Sequence, residues 1–300
     1  MIAGLLVNAV ILGSIYLLFS LGLTLSWGVL KVLNLAHGSI FMFGAFSAYL
    51  LTQQTWAATI PLPLLVVFAA LVGGLLSLAL QKIVFGPILK RASDLHAAEL
   101  ATLIASIGVS LVPIAIALNL SPAEVVNLPL QSTQTTLHSW GPVMISNLQI
   151  SIVVLAVLAA FVLWLWVSKT QGGRALRTIA VAPGTAELLG IPVARYSALT
   201  MFVSGVLAGA AGLLLAANSN AIEAHMGEGL LLKAFAVIIL GGVGSIPGAA
   251  IGAFVLALAE TATVVFLSGG LRSAIAFALI LIVLLIRPSG LFGEKAWKRA

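Results

Sequence analysis

Over 300 residues the chain is 61% hydrophobic and only 7% charged, with a mean hydropathy of +1.21 and a formal net charge of +6. That leaves too little polar surface to cover a soluble globule, which excludes soluble enzymes and soluble binding modules. The positive balance could suit nucleic acid, but the basic residues fall between apolar runs, where orientation in a membrane accounts for them.

Runs of roughly 17 to 25 apolar residues, enough to cross about 30 Å of hydrocarbon as helix, recur along the sequence, whereas alternating barrel strands do not. The expected fold is an all-α integral membrane protein, a single transmembrane domain over 1–300. Cysteine is absent, which removes disulfides, thiolate metal sites and cysteine nucleophiles. His37, His96, His138 and His225 are too scattered in sequence to pair as metal ligands by spacing.

The first run, 2–26, lacks a basic n-region and is too long for a signal-peptide core, so it reads as a retained crossing. Further crossings are predicted at 34–52, 62–80, 99–118, 150–168, 197–217, 231–240, 249–267 and 271–286, bounded by Gly, Pro and charge clusters. With the N-terminus outside and nine crossings, Lys31, Lys82, Lys90, Arg91, Lys169, Arg174, Arg177, Arg195, Arg287, Lys295, Lys298 and Arg299 face the cytoplasm. Only Lys233 and Arg272 are left outside, a bias that fixes the orientation and puts the C-terminus in the cytoplasm.

The element at 231–240, "LLKAFAVIIL", is too short to span alone and runs into "GGVGSIPG" at 241–248. A single crossing over 231–267 would make eight and leave the basic tail outside, against the charge bias. The expectation is therefore eight or nine transmembrane helices with a broken or re-entrant element here. Two polar segments connect crossings: 119–149, without Lys or Arg, suits the outer face, and 169–195, basic and rich in small residues, suits the inner face. An internal repeat is suggested by laying 22–46 on 229–254 through Gly-Leu-x-Leu, Gly-Ser-Ile and Gly-Ala-Phe anchors; nine crossings make the copies parallel, although many transporter repeats are inverted, and the orientation stays open. Gly-interrupted segments in corresponding places of two halves point to a transport path.

On a helix, Asn34, His37, Gly38 and Phe41 share one face, which Gly44 and Ala48 extend. A polar face of this kind turns away from lipid, toward a path or toward a neighbouring helix that it bonds and packs against. In the inner segment Arg174 and Arg177 lie one turn apart, and "PGTAELLGI" has Pro183 at a helix start and Gly190 at its end. A short helix there can dock in a soluble motor or bind anionic headgroups. Glu260 is the only acid deep in a crossing, a relay or substrate contact if not structural. Lys233 and Glu99, at crossing ends, read as side chains snorkelling to the interface. No phosphate-binding loop, H-E-x-x-H or G-x-S-x-G is present, so ATP hydrolysis and bond cleavage are not expected of this chain.

The segments 13–50, 172–191 and 229–253 resemble, in this order, the permease subunits of branched-chain amino acid ABC importers of the LivH type. The wider permease family also serves urea and short amides. The resemblance implies a permease core of two membrane subunits, commonly a heterodimer with a related chain, in a bacterial cytoplasmic (inner) membrane. It further implies two cytoplasmic ATP-binding subunits, which hold the ATP-Mg, and a soluble extracytoplasmic binding protein. It places Gly173, Arg174, Arg177, Ala186, Glu187, Gly190 and Ile191 on the loop that couples to the ATP-binding subunit. The Asn-x-Ala-His-Gly match puts Asn34, His37 and Gly38 in the translocation core, and Gly13, Tyr16, Gly241, Gly242 and Gly244 match likewise. Ser39 departs from the larger polar or acidic residue common in relatives. A reading of another class is an ion-coupled secondary transporter with Glu260 as its relay.

Overall fold

The computed structural model describes residues 2–31, 33–54, 60–92, 94–121, 125–128, 136–140, 143–267, 269–287 and 290–292. Lys295, Lys298 and Arg299, part of the charge bias, lie outside the described residues, as do 122–124, 129–135 and 141–142 of the long polar segment.

In chain order the elements begin with α1 (Ile2–Leu30), α2 (His37–Thr52) and α3 (Leu62–Leu80), which passes through a π turn (Gln81–Phe85) into α4 (Gly86–Arg91). The wider π turn falls just before Pro87, which has no N–H to give to a helical ladder. There follow α5 (Leu95–Leu120), β1 (Val125–Val126), β2 (Leu137–Trp140), β3 (Val143–Ser146), α6 (Asn147–Lys169), α7 (Gln171–Val181) and α8 (Pro183–Leu188). The chain continues with α9 (Val193–Ser219), β4 (Ile222–Glu223), α10 (Met226–Gly241), α11 (Ile246–Phe266), a 3-10 turn (Gly269–Leu271) and α12 (Arg272–Ile286).

Among the described residues, seven helical stretches are long and apolar enough to cross a membrane: Ile2–Leu30, Leu62–Arg91, His96–Leu120, Asn147–Lys169, Val193–Ser219, Ile246–Phe266 and Gly269–Ile286. Their outer faces carry what lipid requires. On α3, Leu64, Val67, Leu71 and Leu75 stand exposed at helical spacing, and α6 exposes Val154, Val157, Leu158 and Phe161 in the same way. α2 and α10, at 16 residues each, are about 24 Å long, short of the hydrocarbon thickness. Two sequence expectations change here. The predicted 34–52 crossing starts only at His37, and the element at 231–240 is longer than ten residues because its helix begins at Met226, through Gly227 and Gly229. Non-helical backbone between α10 and α11 shrinks to residues 242–245.

Two compact units divide the chain. One comprises 25–134 and 165–231, and α2, α3 and α9 form its core. These helices meet through glycines. A Cβ on Gly44 would stand 2.6 Å from the Cα of Gly209, and one on Gly73 would strike the Gly205 carbonyl. Close backbone approach replaces the hydrophobic effect as the cohesive force where lipid is as apolar as the side chains. The Ser77 hydroxyl adds a buried hydrogen bond from α3 to the Met201 carbonyl on α9 at 2.6 Å. At one end, β1 pairs antiparallel with β4, Val125 opposite Glu223.

The other unit comprises 1–24, 135–164 and 232–300. Its β2 and β3 form a hairpin with Leu137 opposite Ser146. α10 and α11 form a helical hairpin closed by "GVGS" at 242–245, where Gly242 and Gly244 adopt φ of +98° and +81°. Ser245 caps α11 by accepting the Gly248 N–H at 3.1 Å. Gly241 lies against Gly248, and Gly252 against the Val237 carbonyl, so the two helices run side by side in backbone contact. The Leu291 and Phe292 N–H groups donate to the Leu240 and Gly241 carbonyls at 2.9 and 3.0 Å, satisfying the open end of α10.

Candidate functional site

The stretch "LNLAHG" is the break between α1 and α2. Lys31 takes a left-handed φ of +56°, and the His37 N–H donates to the Asn34 carbonyl at 3.2 Å. Asn34 therefore sits in the turn before α2, not on the helical face it was expected to share with His37, Gly38 and Phe41. Its carbonyl closes that turn, and the helical ladder begins two residues later, where the Ala36 carbonyl accepts the Ile40 N–H at 3.0 Å. The Asn34 side chain is fully buried, and neither its Oδ1 nor its Nδ2 has a partner.

Around this break the Leu35 N–H donates to the Ser106 hydroxyl on α5 at 3.1 Å, and the Ser39 hydroxyl donates to the Ala36 carbonyl at 2.9 Å. The buried His37 ring places Nδ1 3.4 Å from the Ser204 hydroxyl on α9. Gly38 meets Gly227 backbone to backbone, a Cβ at Gly38 falling 2.7 Å from the Gly227 carbonyl oxygen. Phe41, Gly44 and Ala48 are all buried along α2. Sequence reasoning passed over Ser106 and Ser204; each has a threonine four residues before it, Thr102 and Thr200, and that hydroxyl spacing in an apolar helix is the signal that could have marked them.

In the other unit Tyr16 on α1, Lys233 on α10 and Glu260 on α11 converge. Lys233 Nζ lies 2.9 Å from Glu260 Oε2 and donates to the Tyr16 hydroxyl at 2.9 Å. The Tyr16 hydroxyl in turn donates to Glu260 Oε2 at 2.7 Å. Glu260 is 0% exposed and its Oε1 has no partner, whereas the Lys233 side chain is 19% exposed. Snorkelling is thus the wrong account of Lys233. The hairpin register turns it toward Glu260, and an opposite charge at contact distance outcompetes a stretch to the interface. Glu99, by contrast, is a half-exposed side chain beside His96 in the first turns of α5. Gly13, one turn before Tyr16, packs against Phe254, whose Cα would lie 3.3 Å from an added Cβ.

The inner segment forms two short helices. Thr170 caps α7, its hydroxyl accepting the Gly173 N–H at 3.0 Å. A Cβ on Gly173 would collide with the carbonyls of Trp166 and Val167, and the Arg177 guanidinium donates to the Val167 carbonyl. Leu176 and Ile179 are buried while Arg174 faces outward. α8 ends in a Schellman cap: the Ile191 N–H donates to the Ala186 carbonyl at 3.0 Å and the Gly190 N–H to the Glu187 carbonyl at 2.9 Å. Gly190 supplies the left-handed residue, with φ of +78°. Four of the matched loop residues thus build one helix end. This end thrusts out Leu188 and Leu189, exposed by 90% and 69%, and the end of α7 exposes Val181 by 86%. Sequence reasoning missed these three, although a Leu-Leu pair ahead of a capping glycine was visible.

Among the described residues no group of three His, Asp or Glu side chains could hold a metal ion.

The family model described as "Branched-chain amino acid transport system / permease component" matches residues 5–284. The high-affinity branched-chain amino acid transport system permease protein LivH of Escherichia coli K12 is 30% identical over 96% of this chain and 94% of its own. BraD of Pseudomonas aeruginosa, described in the same words, is 32% identical over 96% of this chain and 95% of its own. A probable branched-chain amino acid transport permease LivH of Methanocaldococcus jannaschii is 28% identical over 97% of this chain and 92% of its own. No solved structure matches.

Proposed function

We propose, from the premise that this chain belongs to the permease-component family of branched-chain amino acid transport systems, that it is a membrane subunit of an ATP-driven importer of branched-chain or other apolar amino acids. The relatives' names support the substrate class, and the exposed end of α8 supports the mode of coupling. Leu188 and Leu189 present an apolar tip on a basic inner segment, suited to a cleft in a soluble ATP-binding subunit, and Val181 is exposed at the end of α7. Gly173, Arg177, Ala186, Gly190 and Ile191 hold that tip in shape; Arg174 and Glu187 flank it with charge.

In this reading two ATP-binding subunits carry the ATP-Mg, a second permease completes the core, and a soluble binding protein delivers substrate from outside. Nine passages, counting α2 and α10 as shorter ones, put the N-terminus outside and the C-terminus inside a bacterial cytoplasmic membrane. Closure of the ATP-binding subunits displaces the 169–195 segment, and the displacement switches the path between outward and inward access. The match to the family supports assigning Asn34, His37, Gly38 and, one turn after His37, Phe41 in one unit, and separately Gly241, Gly242 and Gly244 in the other, to the translocation core. An ion-coupled mechanism has the single buried acid Glu260 as its only support, whereas the ATP-driven reading has the relatives and the inner segment.

The test is reconstitution with co-purified ATP-binding subunits and binding protein, comparing ATP-dependent uptake of leucine and urea. Leucine uptake is expected. Uptake of urea alone would refute the substrate class, and proton-driven uptake without ATP, abolished by Glu260→Gln, would refute the mechanism.

A further inference from the structure

Resting on the amino-acid import reading, we propose that Lys233 and Glu260 form a receptor for a zwitterion, binding the substrate's α-carboxylate at Lys233 and its α-ammonium at Glu260.

The starting point is an incomplete ion pair. Tyr16 and Lys233 both address Glu260 Oε2, and Oε1 of the same carboxylate is left bare at zero exposure. A bare carboxylate oxygen away from water is costly, and the ligand that satisfies it best is a cation with N–H donors. The Lys233 ammonium has three N–H donors, of which two are spent on Tyr16 and Glu260. It is also the partly exposed member of the pair. One spare positive donor and one spare negative acceptor thus lie side by side, which is the complement of an α-amino acid.

Charge conservation makes the exchange feasible inside a membrane. Inserting one free ion would strand an uncompensated charge, whereas a zwitterion meeting an ion pair replaces one neutral set of contacts by another. Lys233 swings on its four-carbon stem, meets the incoming carboxylate, and uncovers Glu260 for the ammonium. Tyr16 stays hydrogen-bonded to Glu260 Oε2 and holds the carboxylate in place. Release is built in, because re-formation of the Lys233–Glu260 pair competes with the bound substrate. Such a site is weak and transient, as a path must be when affinity resides in a separate binding protein. Urea and uncharged amides offer neither charge and are not received.

Two measurements test this. Tritiated leucine binding to the purified permease complex with its ATP-binding subunits, without binding protein, is competed with unlabelled leucine, 4-methylpentanoate, 3-methylbutylamine and urea. Leucine is expected to compete in the millimolar range, and each single-charge analogue at least about ten-fold more weakly, the loss of one charge-assisted contact. Equal competition by the three, or no leucine binding, overturns the proposal even if every variant fails to assemble. In the second measurement the K233M/E260Q double variant, which removes both charges together, is compared with wild type in ATP-dependent leucine uptake. A fall of at least about ten-fold per assembled complex is expected. Uptake within two-fold of wild type overturns the receptor while leaving the import reading intact; absence of ATP-dependent leucine uptake in wild type itself refutes the import reading instead.

Discussion

Replacing Lys233 by Met, Glu260 by Gln, or both separates what the pair contributes to stability from what it does in transport. At the observed 2.9 Å, with an effective dielectric constant near 20, the gross attraction is about 6 kcal/mol. Desolvation of both ions offsets much of it, so the pair's net contribution over a neutral replacement is small, about 1 kcal/mol. Removal of one partner is another matter. Lys233→Met leaves the Glu260 carboxylate unpaired at zero exposure, at a cost of about 3–5 kcal/mol. Glu260→Gln leaves a partly exposed lysine that can reach water along its stem, and its cost falls nearer 2 kcal/mol. The order of stability is therefore wild type close to the double variant, then Glu260→Gln, then Lys233→Met. Thermal unfolding of the detergent-solubilised subunit, followed by loss of the monodisperse peak in size-exclusion chromatography, reads this order. At roughly 2–4 °C per kcal/mol, Lys233→Met should lower the midpoint by roughly 6–20 °C. A double variant as unstable as the sum of the singles would refute the reasoning, since independent effects leave no coupling between the two charges.

Four further outcomes are expected. Gly73→Leu puts a side chain where the Gly205 carbonyl and Gly209 stand, and should cost more than about 4 kcal/mol and abolish recovery of folded protein in a solubilisation assay. Gly190→Ala strains a residue at φ +78° and should cost about 1 kcal/mol, whereas Gly184→Ala, with no neighbour within 4 Å and no positive φ, should change nothing; uptake and thermal midpoints compare them. The L188D/L189D variant should lower co-purification with the ATP-binding subunits at least ten-fold while the permease itself remains monodisperse. His37→Leu should impair uptake with assembly intact, measured as transport per co-purified complex; normal uptake would return His37 to a packing role.

Hydropathy located most of the long helices to within a few residues because apolar length is what a bilayer selects. It failed where the backbone rather than the side chain decides. Asn34 has the right spacing to share a helical face with His37, but the ladder of α2 begins at the Ala36 carbonyl, which accepts the Ile40 N–H, and Asn34 closes only the turn before it. The 231–240 element looked short because Glu228 and two glycines precede it, yet the helix runs through them from Met226. The glycines of α3 and α9 carry no signal within their own helices, and their meeting is a tertiary fact that spacing within one helix does not express.

The misreading of Lys233 has a more general cause. A residue-by-residue transfer scale assigns a lysine in a crossing its cost as an isolated ion, and so moves it to the interface. The relevant quantity is the cost of the pair, which depends on whether the next helix returns an acid at the matching height. In a helical hairpin that matching follows the register: Gly241 meets Gly248 and Val237 meets Gly252, and continuing it brings Lys233 to within one turn of Glu260, a gap that its long side chain closes. Two charged residues in neighbouring apolar runs, joined by a glycine-rich turn, should accordingly be tested as partners across the turn before either is assigned to the membrane surface.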